Sequence, residues 1–186
     1  TLKGVSLCNT NLTGVVFANA TLKGIDFTNA ILEDTVFDYA IVEECVFDGA
    51  KIKSGTFEKT RITDCSFQRT SVIGVNWLTA NVTKVNIEDS SFKNSVLQGM
   101  KFLSGEIYGN KFSECDLQKM NIQNCTLRDT QFENCTLDMS IFTNATLVNV
   151  SLNRVTCLKC KMNNATIENC SFMNANFEDT TFAQSI

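Results

Sequence analysis

Reading every fifth residue from Leu2 gives Leu2, Leu7, Leu12, Phe17, Leu22, Phe27 and onward through Trp77, Phe102, Leu127, Cys157 and Phe172 to Phe182, and all 37 positions are apolar. At 44% hydrophobic residues, chance does not keep such a series unbroken. The period fits neither an α-helix, which repeats near 3.6 residues, nor a strand, which repeats at 2. Each unit of five must be a short extended piece followed by a corner, and corners at one interval wind the chain into a coil.

The flanking positions carry their own pattern. Two residues before each centre the side chain is mostly small, as in Ala20, Ala30, Ala40, Cys45, Ala50, Thr60, Ala80, Ser90, Ala145, Ala165 and Ala175. Two residues after it, Gly and Asn dominate, and seven of the nine glycines sit there. That position suits a turn residue with positive φ. The residue just before each centre is often Thr, Ser, Asn or Val, which suits an outward strand position.

This order of small, polar, Leu or Phe, polar, polar resembles the pentapeptide repeat family, and the match runs from Leu2 to Phe182. The resemblance implies an all-β fold: a right-handed quadrilateral β-helix, a solenoid of about nine coils with four pentapeptides each. Residues 1–186 are then expected to form a single domain. The lack of a starting Met and a pattern already in phase at Leu2 favour a fragment of a larger protein. Side chains twenty apart should stack in columns such as Phe27, Phe47, Phe67 and Phe17, Phe37, Phe57, Trp77, with Phe92, Phe112, Phe132 on another face. Ile25, Met100, Asn110 and Met120 are large or polar for the small position, so bulges are expected there, and Asn110 needs a buried partner.

Chemistry-bearing residues are absorbed by the repeat. Seven of nine cysteines (Cys45, Cys65, Cys115, Cys125, Cys135, Cys160, Cys170) fall at the small position and Cys157 at a centre, leaving only Cys8 expected to face solvent. A centre and the next small position always lie three apart, so the C-x-x-C of Cys157 and Cys160 arises without selection for metal. There is no histidine and no second C-x-x-C, whereas a closed zinc site takes four ligands. No metal or cofactor is expected. The odd cysteine count and regular burial point to reduced thiols and a cytoplasmic location, with a secreted bacterial effector acting in a host cell as the alternative. Cys45 should stack unbonded on Cys65, and Cys115 on Cys135. Nine N-x-S/T sequons occur, at Asn11, Asn19, Asn81, Asn124, Asn134, Asn144, Asn149, Asn164 and Asn169. Seven of them pair a turn Asn with the Ser or Thr before the next centre, so the repeat writes the motif and glycosylation is not expected.

Sixteen Lys and Arg against twenty Asp and Glu give a net charge of -4, which speaks against a nucleic-acid surface, and no apolar run of membrane-spanning length is present. A soluble protein without catalytic activity is expected, because a filled solenoid offers no cleft for a nucleophile and its base. Charge is uneven along the chain. Between Lys23 and Lys51 lie seven acids, Asp26, Glu33, Asp34, Asp38, Glu43, Glu44 and Asp48, and no base. At twenty residues per coil, Glu33 to Asp48 encircle the rod as a girdle, joined by Tyr39 and the outward Ile31, Val36, Ile41 and Val46. Glu33, Asp34, Asp38, Tyr39, Glu43, Glu44 and Asp48 are the candidate partner-binding residues.

The leading functional expectation is a protein-interaction module or scaffold. The resemblance supplies two alternatives. Some bacterial members are similar to B-DNA in shape and charge and bind DNA gyrase or topoisomerase IV, and others serve as targeting domains of larger bacterial effectors such as ubiquitin ligases. It also implies a homodimer packed through the C-terminal coil, where Phe172, Phe177 and Phe182 gather.

Overall fold

In the computed structural model, which describes residues 1–103 and 106–186, the chain is a parallel β-solenoid with four faces. None of the described residues is helical. Strands of two or three residues form two six-stranded sheets and one seven-stranded sheet. The first face runs from Leu2–Lys3 through Thr21–Lys23, Ile41–Glu43, Arg61–Thr63 and Asn81–Thr83 to Lys101–Leu103. The second carries Ser66–Gln68 to Thr166–Glu168, and the third Ile31–Glu33 to Ser151–Asn153. The fourth is a line of single bridges from Val16 and Val36 through Thr56, Asn76 and Val96 to Thr156 and Asn176. Each pairing joins residues twenty apart, as in Leu22↔Val42 and Phe112↔Phe132, so each coil consumes four pentapeptides.

The corners explain why the chain turns every five residues. Every described residue at the turn position has positive φ, from Gly4 at 58° to Gln184 at 59°. Where the Ala30 amide donates to the Phe27 carbonyl at 2.9 Å, with Asn29 at φ 55°, the corner has the geometry of a type II turn. The left-handed backbone persists at Tyr39, Arg69, Thr79 and Met139, residues that pay on the order of 1 kcal/mol for it. Ladder bonds to the coils on either side outweigh that local preference.

The small position does more than fit a corner. Thr60 donates its hydroxyl to the Phe37 carbonyl at 2.7 Å, Thr70 to Phe47 at 3.0 Å, Ser90 to Phe67 at 2.6 Å and Ser140 to Leu117 at 3.0 Å. In each case the acceptor is the centre residue 23 positions earlier, one coil away. Buried Ser and Thr therefore stitch coil to coil while satisfying their own polar groups.

The interior is an aromatic ladder that changes faces. Phe27 stacks on Phe47 with ring centroids 4.7 Å apart, and Phe47 on Phe67 at 4.5 Å. On the fourth face Phe37 stacks on Phe57 at 4.5 Å and Phe57 on Trp77 at 4.1 Å. Rings on neighbouring faces meet edge to face, as Phe37 and Phe47 do at 6.0 Å, a favoured aromatic geometry. Above Phe67 and Trp77 these columns continue as Ile87 and Leu97, and stacking moves to Phe92, Phe112 and Phe132 on the third face.

That changeover corrects the expectation of bulges. Ile25, Met100, Asn110 and Met120 are all buried, and register continues past them through Val96↔Asp116 and Asn121↔Ile141. Met100 and Met120 line a small apolar void beside Ile87, Leu97 and Trp77, where unbranched, flexible side chains fill space that the rings vacate. Asn110 has its partners. Its Nδ2 donates to the Ile87 carbonyl at 2.8 Å, and its Oδ1 accepts the Ser90 amide at 2.9 Å. Burial of centres and small positions lapses in the outermost coils, where Leu2, Val5 and Phe182 are exposed.

Candidate interaction surface

The acidic coil is built by the same register, and the register changes its meaning. Lys23 Nζ lies 2.8 Å from Glu44 and 3.7 Å from Glu43, Arg61 lies 3.6 Å from Glu43, and Lys53 lies 2.5 Å from Glu33. The Glu44 carboxylate, with Glu43 behind it, holds the Lys23 ammonium above its ordinary range, and Glu33 does the same for Lys53. Asp38 and Asp48 serve the backbone: Asp38 Oδ1 accepts the Glu58 amide at 2.8 Å, and Asp48 Oδ1 accepts the Gln68 amide at 3.0 Å and the Ser66 hydroxyl at 2.6 Å. A run without bases along the chain is thus met in space by Lys23 from the coil before it and by Lys53 and Arg61 from the coil after it. Exposed pairs of this kind add little stability, but they offset the charges of Glu33, Glu43 and Glu44.

Asp34 and Tyr39 stand apart from this pairing. Asp34 is exposed at a corner, and Tyr39 is half exposed at the next. Lys59 Nζ sits 5.2 Å from the Tyr39 ring centroid and 3.3 Å from its hydroxyl, and also 3.2 Å from Glu58. A cation over an aromatic face fixes the ring without burying it. Of the outward β-branched residues, Ile31 is exposed while Val36, Ile41 and Val46 are half-buried. The signal that would have revealed the ion pairs is simple: acids and bases need to be compared at separations within two residues of twenty.

Phe172 and Phe177 pack partly buried against the core, with rings 5.3 Å apart, and Phe182 is exposed with its ring 5.7 Å from Phe177.

The cysteines largely follow the repeat, with two corrections. Cys157 and Cys160 form a disulfide where reduced thiols were expected, because a centre and the next small side chain both point inward around one corner. Cys170 is partly exposed as well as Cys8, since among the described residues no coil stacks beyond its corner. Cys45 and Cys65 stack unbonded, as do Cys115 and Cys135. The hydrogen bond to its partner and burial push the Cys65 and Cys135 thiols up, while the same bond draws Cys45 and Cys115 down. Burial opposes ionisation of all four, reinforcing the rise at Cys65 and Cys135 and offsetting part of the fall at Cys45 and Cys115. Alkylation of denatured, unreduced protein followed by mass spectrometry should label Cys8, Cys45, Cys65, Cys115, Cys135 and Cys170 and leave Cys157 and Cys160 joined. A Cys45–Cys65 or Cys115–Cys135 bridge in native protein would contradict this arrangement.

Taken together, the geometry defines a parallel β-solenoid with a filled interior, whose distinguishing chemistry lies on its outer faces. A sequence model described as pentapeptide repeats in eight copies matches residues 1–34 and 140–179, and one described as a pentapeptide repeat region matches residues 85–158. The chain belongs to the pentapeptide repeat family. No curated protein sequence matches it. Among solved structures, a trypsin-treated form of QnrB1, a plasmid-mediated fluoroquinolone resistance protein, is similar over 95% of this chain and 89% of its own, at 15% identity and a TM-score of 0.62. A second trypsin-treated form of QnrB1 gives 13% identity, 97% and 90% coverage and a TM-score of 0.58. HetL, involved in heterocyst differentiation regulation in the cyanobacterium Nostoc, gives 16% identity over 96% of this chain and 83% of its own, with a TM-score of 0.49. At these identities the likeness concerns the fold.

Proposed function

We propose that the protein is a non-catalytic interaction scaffold, a rod that offers fixed columns of outward side chains to a protein partner, with Tyr39 and Asp34 on the acidic coil at the contact. The observation that supports this is Tyr39 itself, 51% exposed yet held by Lys59. Tyrosine is enriched among residues that anchor interfaces, and a ring already immobilised loses little entropy on binding. A photo-reactive benzoylphenylalanine at position 39, introduced in the source cells, should yield a discrete protein adduct that Asp34→Lys abolishes. Tyr108, similarly exposed but away from the acidic coil, is the control position. Absence of an adduct at 39, or the same adducts from 108, would remove Tyr39 as the contact.

The gyrase-binding alternative needs acids running along the rod. The outward column Asp38, Glu58, Leu78, Gln98, Gln118, Asp138, Leu158, Glu178 lacks them for three coils, and Lys59, Lys119 and Lys159 lie beside it. Asp38 and Asp138 also spend a carboxylate oxygen on the Glu58 and Leu158 amides. Weak or absent inhibition of gyrase supercoiling is expected, and sub-micromolar inhibition would reverse the ranking. The exposed Phe182 beside Phe177 supports self-association through the C-terminal coil. Light scattering should then give a mass above the 20.6 kDa monomer, and Phe177→Asp with Phe182→Asp should return it to that value.

A further inference from the structure

The net acidity of the chain conceals a face of the opposite sign. On the first face and its two bordering corners, no acid occurs between Asp64 and Asp179, whereas five lysines do: Lys84, Lys101, Lys119, Lys159 and Lys161. The chain separates them by up to 77 positions, but the register gathers them. Lys101 leads by successive bridges through Asn121 and Ile141 to Lys161. At the adjoining corner the Lys119 amide donates to the Asp138 carbonyl and the Met139 amide to that of Leu158, which sets Lys119, Met139 and Lys159 one coil apart. All five lysines are exposed, and none forms an ion pair among the described residues.

Two features narrow what such a face can hold. Met139, 51% exposed, stands between Lys119 and Lys159 with Ile141 beside it, so the charges surround an apolar centre. The neighbouring Asp138 is engaged by the Leu158 amide at 3.0 Å. The lysine window is also short. From the level of Lys84 to that of Lys161 are four coil spacings, ~19 Å at strand spacing. Glu43 and Glu44 lie two coils below Lys84, and Asp179 one coil above Lys159, each within roughly a Debye length of ~10 Å. A long polyanion laid along the rod would run onto these acids. No outward aromatic side chain occurs on this stretch of the face, so nucleic-acid bases would find nothing to stack on. A compact cluster of carboxylates around one apolar side chain meets both conditions, with an apolar centre and a charged rim as in protein interfaces.

We propose that this lysine face docks an acidic patch of a partner protein, with carboxylates on Lys101, Lys119, Lys159 and Lys161 and an apolar side chain on Met139. The inference rests on the scaffold reading and assigns that scaffold a second surface of opposite charge. Fluorescence anisotropy with a short labelled peptide, rich in Asp and Glu around a single Leu, is the test. Binding should weaken as salt rises and should fall by about tenfold or more in the double variant Lys119→Glu, Lys159→Glu, a loss of ~1.4 kcal/mol per decade. Lys51→Glu with Lys93→Glu, on the third face, should leave affinity unchanged, and Met139→Asn should weaken binding while circular dichroism stays that of the parent. No binding of the peptide, equal binding by the reversed variant, or equally tight binding of heparin, duplex DNA or phosphatidylserine vesicles would each overturn the proposal. If it fails while position 39 still gives its adduct, the scaffold reading stands without the lysine face.

Discussion

Replacing Phe47 by alanine should lower the unfolding free energy by about 3 to 5 kcal/mol, the range for a fully buried ring removed from a core that relaxes only partly. Phe47 sits mid-ladder, stacked at 4.7 Å on Phe27 and 4.5 Å on Phe67 and edge-on to Phe37 at 6.0 Å, with no exposed surface. Its neighbours are fixed by coils on both sides, so they cannot close the gap. Urea denaturation followed by circular dichroism measures the difference. Tyr39→Ala, on the outside of the same stretch, should change stability by roughly 0.5 kcal/mol or less. Similar losses at the two positions would mean that the ladder is not the core.

The second large effect is expected at Asn110, where Asn110→Leu keeps the branched heavy-atom skeleton and removes the bonding. Two buried backbone groups, the Ile87 carbonyl and the Ser90 amide, would lose their side-chain partner. At about 1 to 3 kcal/mol for each unsatisfied group, the cost is roughly 2 to 5 kcal/mol. Asn110→Thr should recover part of it, because Thr130, one coil on in the same corner column, donates its hydroxyl to Ile107 at 3.3 Å. If the leucine variant is as stable as the parent by urea denaturation, the corner column is a matter of size alone.

Side-chain direction was legible in the sequence, and side-chain partnership mostly was not. Phe57 on Trp77 or Cys45 on Cys65 could be named beforehand because period five and a coil of twenty determine which inward residues stack. Glu43 with Lys23 obeys the same spacing, and Arg61 falls two residues short of it, yet an acidic run read along the chain hides partners that lie about one coil away. The lysine face was hidden for the same reason, since Lys101 and Lys161 belong to one surface only after the chain is wound. Thr60 and Ser90 were selected by size in the sequence, whereas in space they are also donors to carbonyls of the adjacent coil. Tyr39, Thr79 and Met139 show local preference overruled: nothing in those residues asks for positive φ, and ladder bonds to neighbouring coils impose it. The Cys157–Cys160 bond escaped because the repeat explains the spacing and so masks what that spacing permits.

Both proposed surfaces exist only if residues twenty apart stand in straight columns along a rod. Pulsed electron–electron distance measurements between nitroxides on Lys23 and Thr143, and on Lys23 and Asn163, test it directly, since these outward positions belong to one column of the first face. At ~4.8 Å per coil the two separations should be about 29 Å and about 34 Å, each with a narrow distribution. Broad distributions, or two distances that do not differ by one coil spacing, would contradict it.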